Sequence, residues 1–363
     1  MAGDEVPRIR VPLERIEAFV RAAFERLGVD PAEAGPAAVS VAASDLRENE
    51  THGLWMMPYY VSALKSGQMN PKPKFRIDRE GPAFALVDAD NAFGLVTGRF
   101  AMNLAIRKAA EAGIAAVSVR NSNSLGYLGW FAGLAAEKRM IGIVMSNFGR
   151  PAVAPPDGLT RLVATNPIAI AAPGRHEAPF LLDISTSVVS EGKSRIAKAR
   201  GKRLPCEWVQ DAEGRPSTDP DLSGPGPGST RPLGVIPEHG AYKGFGLALA
   251  VDILCGLLSG GVYGNYRERL GLDPVSVNSS SHFFLAINAT AFRPDQELMN
   301  DMDMFLAVIR RSLPRPGVDH VRYPGLRAFE AEKANRKNGV PLAKDLLERM
   351  AKIAKDLGVP ALA

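Results

Sequence analysis

The chain has 363 residues, 46% hydrophobic and 23% charged, which is ordinary globular make-up with length for one large or two to three modest domains. Its 44 basic and 39 acidic residues leave a net charge of +5, spread along the chain, which permits anionic ligands but gives no argument for nucleic acid. Cys206 and Cys255 form no motif, fit a reducing compartment and exclude a cysteine-rich zinc site; no other metal-like cluster is present. The first residues are too polar for a signal peptide, and Asp252 and Gly256 break the longest apolar stretch, so a cytoplasmic protein without a membrane span is expected.

In chain order, Val11, Leu13, Ile16, Phe19 and Val20 recur at helical spacing, and a second, alanine-rich helix follows Pro31 and runs towards residue 47. It leads to Thr51-His52-Gly53, after which Pro58 breaks or kinks the chain and a short helix ends at Gly67. From residue 82 the pattern changes. The strand PAFALVDADN, a helix stopped by Gly113, the strand IAAVSVRNSN, the helix WFAGLAAEKRM and the strand IGIVMSNF alternate, which predicts an α/β region. LTRLVATNPIAIAAP and PFLLDISTSVV add two strands, and SEGKSRIAKARGK turns into a helix. Residues 214–238, rich in Pro and Gly, read as an ordered long loop or a lid. YKGFGLALAVDILCGLLSG reads as a buried apolar helix and SSSHFFLAINATAF as a strand; the tail from residue 294 is helical, with proline breaks around 314–324. No internal repeat is present.

Common catalytic signatures are absent: there is no G-x-G-x-x-G, no phosphate-binding G-x-x-x-x-G-K-[ST] and no G-x-S-x-G elbow. What remains is polar residues at strand ends: Asn121 to Ser124, Ser146 and Asn147, Thr165 and Asn166, and Asp183 with Ser185, Thr186 and Ser187. Each alone reads as a turn or helix cap, but four groups within residues 121–187 predict a shared polar cleft. Lys243, beside glycines at the start of an apolar helix, suits an anion such as a pyrophosphate, although spacing alone favours a solvated lysine. The basic run KSRIAKARGKR (193–203) reads as a solvent-facing helix end, with a phosphate role the weaker reading. His52 is one of only five histidines and a candidate for neutral-pH proton transfer. Trp55, Met56 and Met57 could line an apolar pocket, but their pattern favours the core.

Together these stretches resemble one family over nearly the whole chain: the malate/L-lactate dehydrogenase family that is unrelated to Rossmann-type lactate dehydrogenases. It also includes ureidoglycolate dehydrogenase, 2,3-diketogulonate reductase and piperideine-2-carboxylate reductase. The resemblance is carried by THG (51–53), NSNSLGYLGWFA (121–132), TNPIAIAAP (165–173), LLDISTSVVSEGK (181–193), DAEGRPSTDP (211–220), YKGFGLALAVDILCGLLSG (242–260), SHFFLAI (281–287) and VRYPG (321–325). It implies an α/β protein with a non-Rossmann NAD(P)-binding domain on a mixed sheet (79–293). A helical domain built from both chain ends (1–78 and 294–363) completes the subunit. It also implies NADH or NADPH as cofactor, and a homodimer with the active site close to the subunit interface. By the same resemblance His52 is the proton donor to a C=O or C=N group, with Thr51 keeping a hydroxyl beside it and Asp183 orienting it or holding it protonated. Asn121, Ser124, Ser146, Asn147, Thr165, Asn166, Asp183, Ser185, Lys243, Pro324 and Gly325 fall at positions for the nucleotide.

Three departures bear on the substrate. Met56 stands where the family usually has an arginine, Ser124 and Leu125 where it often has His-Phe, and Leu326 where it usually has a glutamate. Without the arginine fork, and with Trp55, Met56 and Leu125 as an apolar wall, a simple 2-oxo acid is expected to be a poor substrate. A larger or less acidic ketone or cyclic imine, such as an intermediate of specialised biosynthesis, fits better, unless Arg47 or a residue of a second subunit restores the clamp. The rival reading is a catalytically weakened relative that binds a nucleotide or a protein partner. The sequence does not choose between NAD and NADP.

Overall fold

The computed structural model describes residues 7–224, 226–265 and 279–362. Residues 1–6, on which the leader reading partly rests, and residue 225 of the Pro/Gly-rich loop lie outside them. Strand β1 (Arg8–Val11) is followed by α1 (Leu13–Arg26) and α2 (Pro31–Leu46). In α1 the apolar spacing seen in the sequence becomes one buried stripe: Ile16, Phe19, Val20, Ala23 and Phe24. Asp30 caps α2 by accepting the Ala32 N–H, and Pro31 occupies its first position, where a missing N–H costs nothing. After two single turns at 50–56 comes α3 (Met57–Lys65). Phe24, Tyr60 and Phe93 meet edge to face with centroids 5.0–6.1 Å apart, joining α1, α3 and the following unit.

That unit is a seven-stranded mixed sheet. Its first members are β2 (Arg76–Gly81), β3 (Phe84–Asp88), β4 (Ile114–Ser122), β5 (Met140–Ser146), β6 (Ile168–Ala172) and β7 (Phe180–Ile184). Between them lie α4 (Gly94–Ala112) and α5 (Leu128–Ala136). Next come α6 (Glu191–Ala199) and the short β8 (Val209–Gln210), β9 (Pro216–Ser217) and β10 (Ser229–Thr230), which give the Pro/Gly-rich loop a small sheet of its own. Helix α7 (Ala241–Asp252) and β11 (Ser280–Asn288) complete this half. The order β2-β3-β4-β11-β5-β6-β7 puts β11 in the centre, and only β3–β4 is a parallel pair. The strands β3, β4, β5 and β7 therefore finish at the same edge, and their following loops share it.

The tail forms α8 (Asp295–Arg311), α9 (Leu326–Asn338), β12 (Val340–Ala343) and α10 (Lys344–Leu357). β12 pairs antiparallel with β1, Arg8 opposite Ala343, so the two chain ends are sewn into one body. Two expectations change. Residues 76–81, to which the sequence assigns no element, form an edge strand whose polar face sits in solvent. Helix α7 is not buried: Ala248, Val251 and Asp252 turn inward, while Tyr242, Leu247, Leu249, Ile253, Leu257 and Leu258 of the helix and its wider continuation stay exposed. A helix apolar all round suggested burial, but only one side finds a partner within the subunit.

Candidate active site

A cleft of about 930 Å³ opens between the sheet half and the body made by the chain ends. Four segments supply its chemistry. The turn at Glu50–His52 brings Thr51 and His52; β7 and its loop bring Asp183, Ser185 and Ser187; Thr165 stands before β6; and Gly325 heads α9. Helix α6 closes one side, packed so closely on the turn that a Cβ on Gly192 would lie 2.9 Å from the Thr51 Cβ.

The position of His52 follows from the end of α2. Asp45, buried in the last turn, accepts the Leu54 N–H at 2.7 Å and lies against Gly53, where any side chain would overlap its carboxyl. That contact bends the chain so that the imidazole turns to the cleft. The Thr51 hydroxyl donates to Asn49 Oδ1 at 3.0 Å and lies 2.8 Å from His52 Nδ1. A hydroxyl has one proton, so with it given to Asn49 the ring Nδ1–H must donate to Thr51. This tautomer leaves the Nε2 lone pair free. Although the ring borders the cleft, the surrounding protein desolvates it, and this, with the positive charge of Arg195, holds its pKa down to about 4. The resting imidazole is neutral at pH 7.

Asp183 borders the same cleft but is not the hydrogen-bond partner of His52, as had been expected. Its carboxyl accepts the Gly129 N–H at 2.7 Å, while Thr51 orients the imidazole. Desolvation raises the Asp183 pKa to about 7, against the lowering effect of the Gly129 N–H. Asp45 is pushed up to about 8, again by burial, with the Leu54 N–H opposing and the charge of Glu50 adding. Both carboxyls bind a proton more tightly folded than unfolded. Their contribution to stability is therefore complete below the unfolded value near 3.8 and is lost as pH rises towards 7 and 8. His52 has the opposite sign, and its contribution is already complete above 6.5. Between pH 6.5 and 8.5 the protein should lose stability, with on the order of 2 kcal/mol coming from Asp45. Urea denaturation at the two pH values checks this: Asp45→Asn should shrink the difference, and an unchanged difference would clear Asp45 of the effect.

Of the other residues singled out in the sequence, Thr165, Ser185, Ser187, Arg47 and Gly325 line the cleft, as does part of the basic run 193–203, while Asn121, Ser124, Ser146, Asn147, Asn166, Lys243, Pro324, Trp55, Met56 and Leu125 do not. Arg47 is already engaged: it meets Glu332 at 2.8 Å, and its guanidinium lies 4.8 Å from the Phe329 ring centroid and 5.8 Å from that of Tyr127. Met56 and Leu125 are core residues, 7% and 1% exposed, so no apolar wall forms from them. Trp55 donates its indole N–H to Glu50 at 2.9 Å and stacks with Arg200 and Arg349.

The strand-end amides are drawn into the scaffold. Asn121 reaches Asp88, Asn123 the Ala92 carbonyl, Asn147 the Asp252 carboxyl and the Val262 carbonyl, and Asn166 the Ala248 carbonyl. Ser146 pairs with His282, and Ser124 accepts the Gly126 N–H. Pro324 is exposed and gives its carbonyl to the Leu181 N–H. Lys243 is exposed beside Tyr242 in the first turn of α7.

The basic run on α6 was under-read. Lys193, Ile196, Ala197 and Arg200 form a stripe at i, i+3, i+4 and i+7 facing the cleft, and Lys202 and Arg203 continue its wall. The spacing was visible; what it faced was not. Tyr127, Trp208, Arg8 and Arg327 also line the cleft without having carried a signal.

The sequence model of the malate/L-lactate dehydrogenase family matches residues 11–351. The malate dehydrogenase of Pyrococcus horikoshii is 39% identical over 98% of this chain and 97% of its own length. Its solved structure superimposes with a TM-score of 0.89 over 99% of both chains, at 36% identity. The L-sulfolactate dehydrogenase of Methanocaldococcus jannaschii is 34% identical over 93% of this chain and 94% of its own. The structure of delta1-piperideine-2-carboxylate reductase from Pseudomonas syringae matches with a TM-score of 0.81 and 25% identity, over 95% of this chain and all of that one.

Proposed function

The chain belongs to the malate/L-lactate dehydrogenase family and is an NAD(P)-dependent dehydrogenase or reductase; on that premise we propose that it reduces a ketone or cyclic imine in the cleft beside His52. The observation that carries this reading is the neutral, Thr51-oriented imidazole facing the same cavity as Asp183. A bound nicotinamide cofactor supplies the hydride. At rest His52 Nε2 carries a lone pair, so it takes the proton from the hydroxyl in the oxidation direction; in the reduction direction a proton from solvent must first reach Nε2, and the imidazolium then gives it to the reduced oxygen or nitrogen. Asp183, which keeps a proton up to about pH 7, is a second titrating group at the cleft. Thr165, Ser185 and Gly325 offer polar and unhindered backbone surface for the nucleotide. The cavity and its cationic lining fit a dinucleotide in size and sign.

Within this reading, pyruvate and oxaloacetate are poor substrates, and larger or less acidic carbonyls or imines are better ones. Position 56 offers a thioether in the core rather than a guanidinium, and Arg47 is committed to Glu332. Steady-state kinetics with pyruvate, oxaloacetate, a cyclic imino acid and uncharged ketones test this. The two 2-oxo acids should fall below a kcat/KM of about 10⁴ M⁻¹s⁻¹; efficient turnover of either sinks the idea.

The exposed apolar side of α7 supports a homodimer, because six large side chains left in water along one element form the sort of patch that a second copy covers. Sedimentation at micromolar concentration should give twice the chain mass, and Leu257→Glu should shift it towards the monomer. A monomeric native protein would end this part of the proposal.

A further inference from the structure

The cleft lining carries more cations than acids. Among its described lining residues seven are Arg or Lys and three are Asp or Glu. Some of the cations are neutralised in place: Arg47 by Glu332 at 2.8 Å, and Arg200 by Glu50 at 2.6 Å and Asp345 at 3.3 Å; Arg203 meets Asp219 at 3.3 Å, but near the solvent. Others are not. Arg8 donates to the Pro341 carbonyl at 3.4 Å and has no carboxylate partner among the described residues. Lys193 holds its ammonium 5.9 Å over the Trp208 ring and likewise has none. Arg327 stands 3.8 Å from Glu48 with both side chains largely in solvent, a contact worth little.

Cations gathered on a concave surface repel one another until an anion enters, and the field they focus selects the more highly charged ligand. The pyrophosphate link of either cofactor brings about two negative charges, and a phosphate on the adenosine ribose adds about 1.5–2 more at pH 7. In dinucleotide sites that favour the unphosphorylated ribose, an acid accepts its 2′-hydroxyl and would repel a phosphate there. The first turn of α9, which meets the cleft at Gly325, carries Leu326 and Arg327 and no acid. Of the three acids in the lining, Glu50 is taken up by Trp55 and Arg200 and Asp183 accepts the Gly129 N–H, which leaves Glu48, beside Arg327.

We infer that this chain takes NADP(H) in preference to NAD(H), the phosphate on the adenosine ribose being held by the cations that the fold leaves weakly neutralised: Arg8, Lys193 and Arg327. The inference rests on the cofactor lying in this cleft. Fluorescence titration of the full chain with NADPH and with NADH, at one fixed ionic strength, tests it. NADPH should bind at least about tenfold more tightly, a difference of about 1.4 kcal/mol. Arg8→Gln, Lys193→Gln and Arg327→Gln, each shown to be folded by its thermal unfolding, should include at least one that weakens NADPH about fivefold or more and leaves NADH within about twofold. The triple variant should bring the two affinities together. NADH binding as tightly as NADPH overturns the inference while leaving the dinucleotide site standing. A triple variant with the full NADPH preference overturns the assignment to these residues. Failure to bind either nucleotide removes the site and the inference together.

Discussion

His52→Ala is expected to lower turnover by roughly 10²–10⁴-fold, the usual contribution of a positioned proton donor, while the cofactor still binds. The imidazole is held from one side by Thr51 and Asn49, and Nε2 is left toward the cleft with its lone pair free. Alanine removes the proton path without touching the cations or the α6 wall that border the nucleotide space. Single-turnover reduction and cofactor titration separate the two effects. Turnover within a few-fold of the native protein would return His52 to a purely structural role. Loss of cofactor binding in the variant would mean the ring shapes the nucleotide site instead. Thr51→Val gives a graded companion: the ring stays, its tautomer is no longer imposed, and a smaller loss should follow.

The second large effect is expected at Gly53. The need for glycine is steric: a Cβ would overlap the Asp45 carboxyl. Gly53→Ala must therefore push Asp45 off the Leu54 N–H or displace the turn. Overpacking costs about 1–3 kcal/mol and a buried donor left unpaired about 1–3 more, so a loss of roughly 2–5 kcal/mol is expected. Urea denaturation at pH 6.5 measures it, and a change below about 0.5 kcal/mol would show that the turn has room to give. Turnover should fall too, because Gly53 follows His52 directly and the two move together.

These two neighbours show which parts of the site could be read in advance. Thr51-His52-Gly53 is a local string, and its fit to the family pattern pointed to the imidazole. The carboxyl that fixes the turn is nine residues from the N–H it accepts and looked like one more polar residue in an alanine-rich helix. The helices α1 and α2 were legible because an apolar stripe repeats along each. The strand β2 was not, since an edge strand with polar residues on its open face lacks the alternation that marks a half-buried one. Asn147 and Asn166 looked like ligand-facing residues at strand ends, yet their amides satisfy buried groups of the α7 region more than 80 residues away. Polarity was visible in the sequence; the direction it faces depends on which distant segment packs against it.

The antiparallel pairing of β1 with β12 has a consequence for how the protein is made. The partners lie more than 300 residues apart, and Arg8 and Ala343 from that ribbon, with Gly325 and Arg327 ahead of it, border the cleft. During synthesis the sheet can form while the nucleotide space still lacks a wall, and the first strand must wait for nearly the last one. A chain released after α8 would keep β2 to β11 and still have no finished cleft. Completion of the cleft is thus tied to completion of the polypeptide, so a half-built chain carries the sheet without the finished cavity.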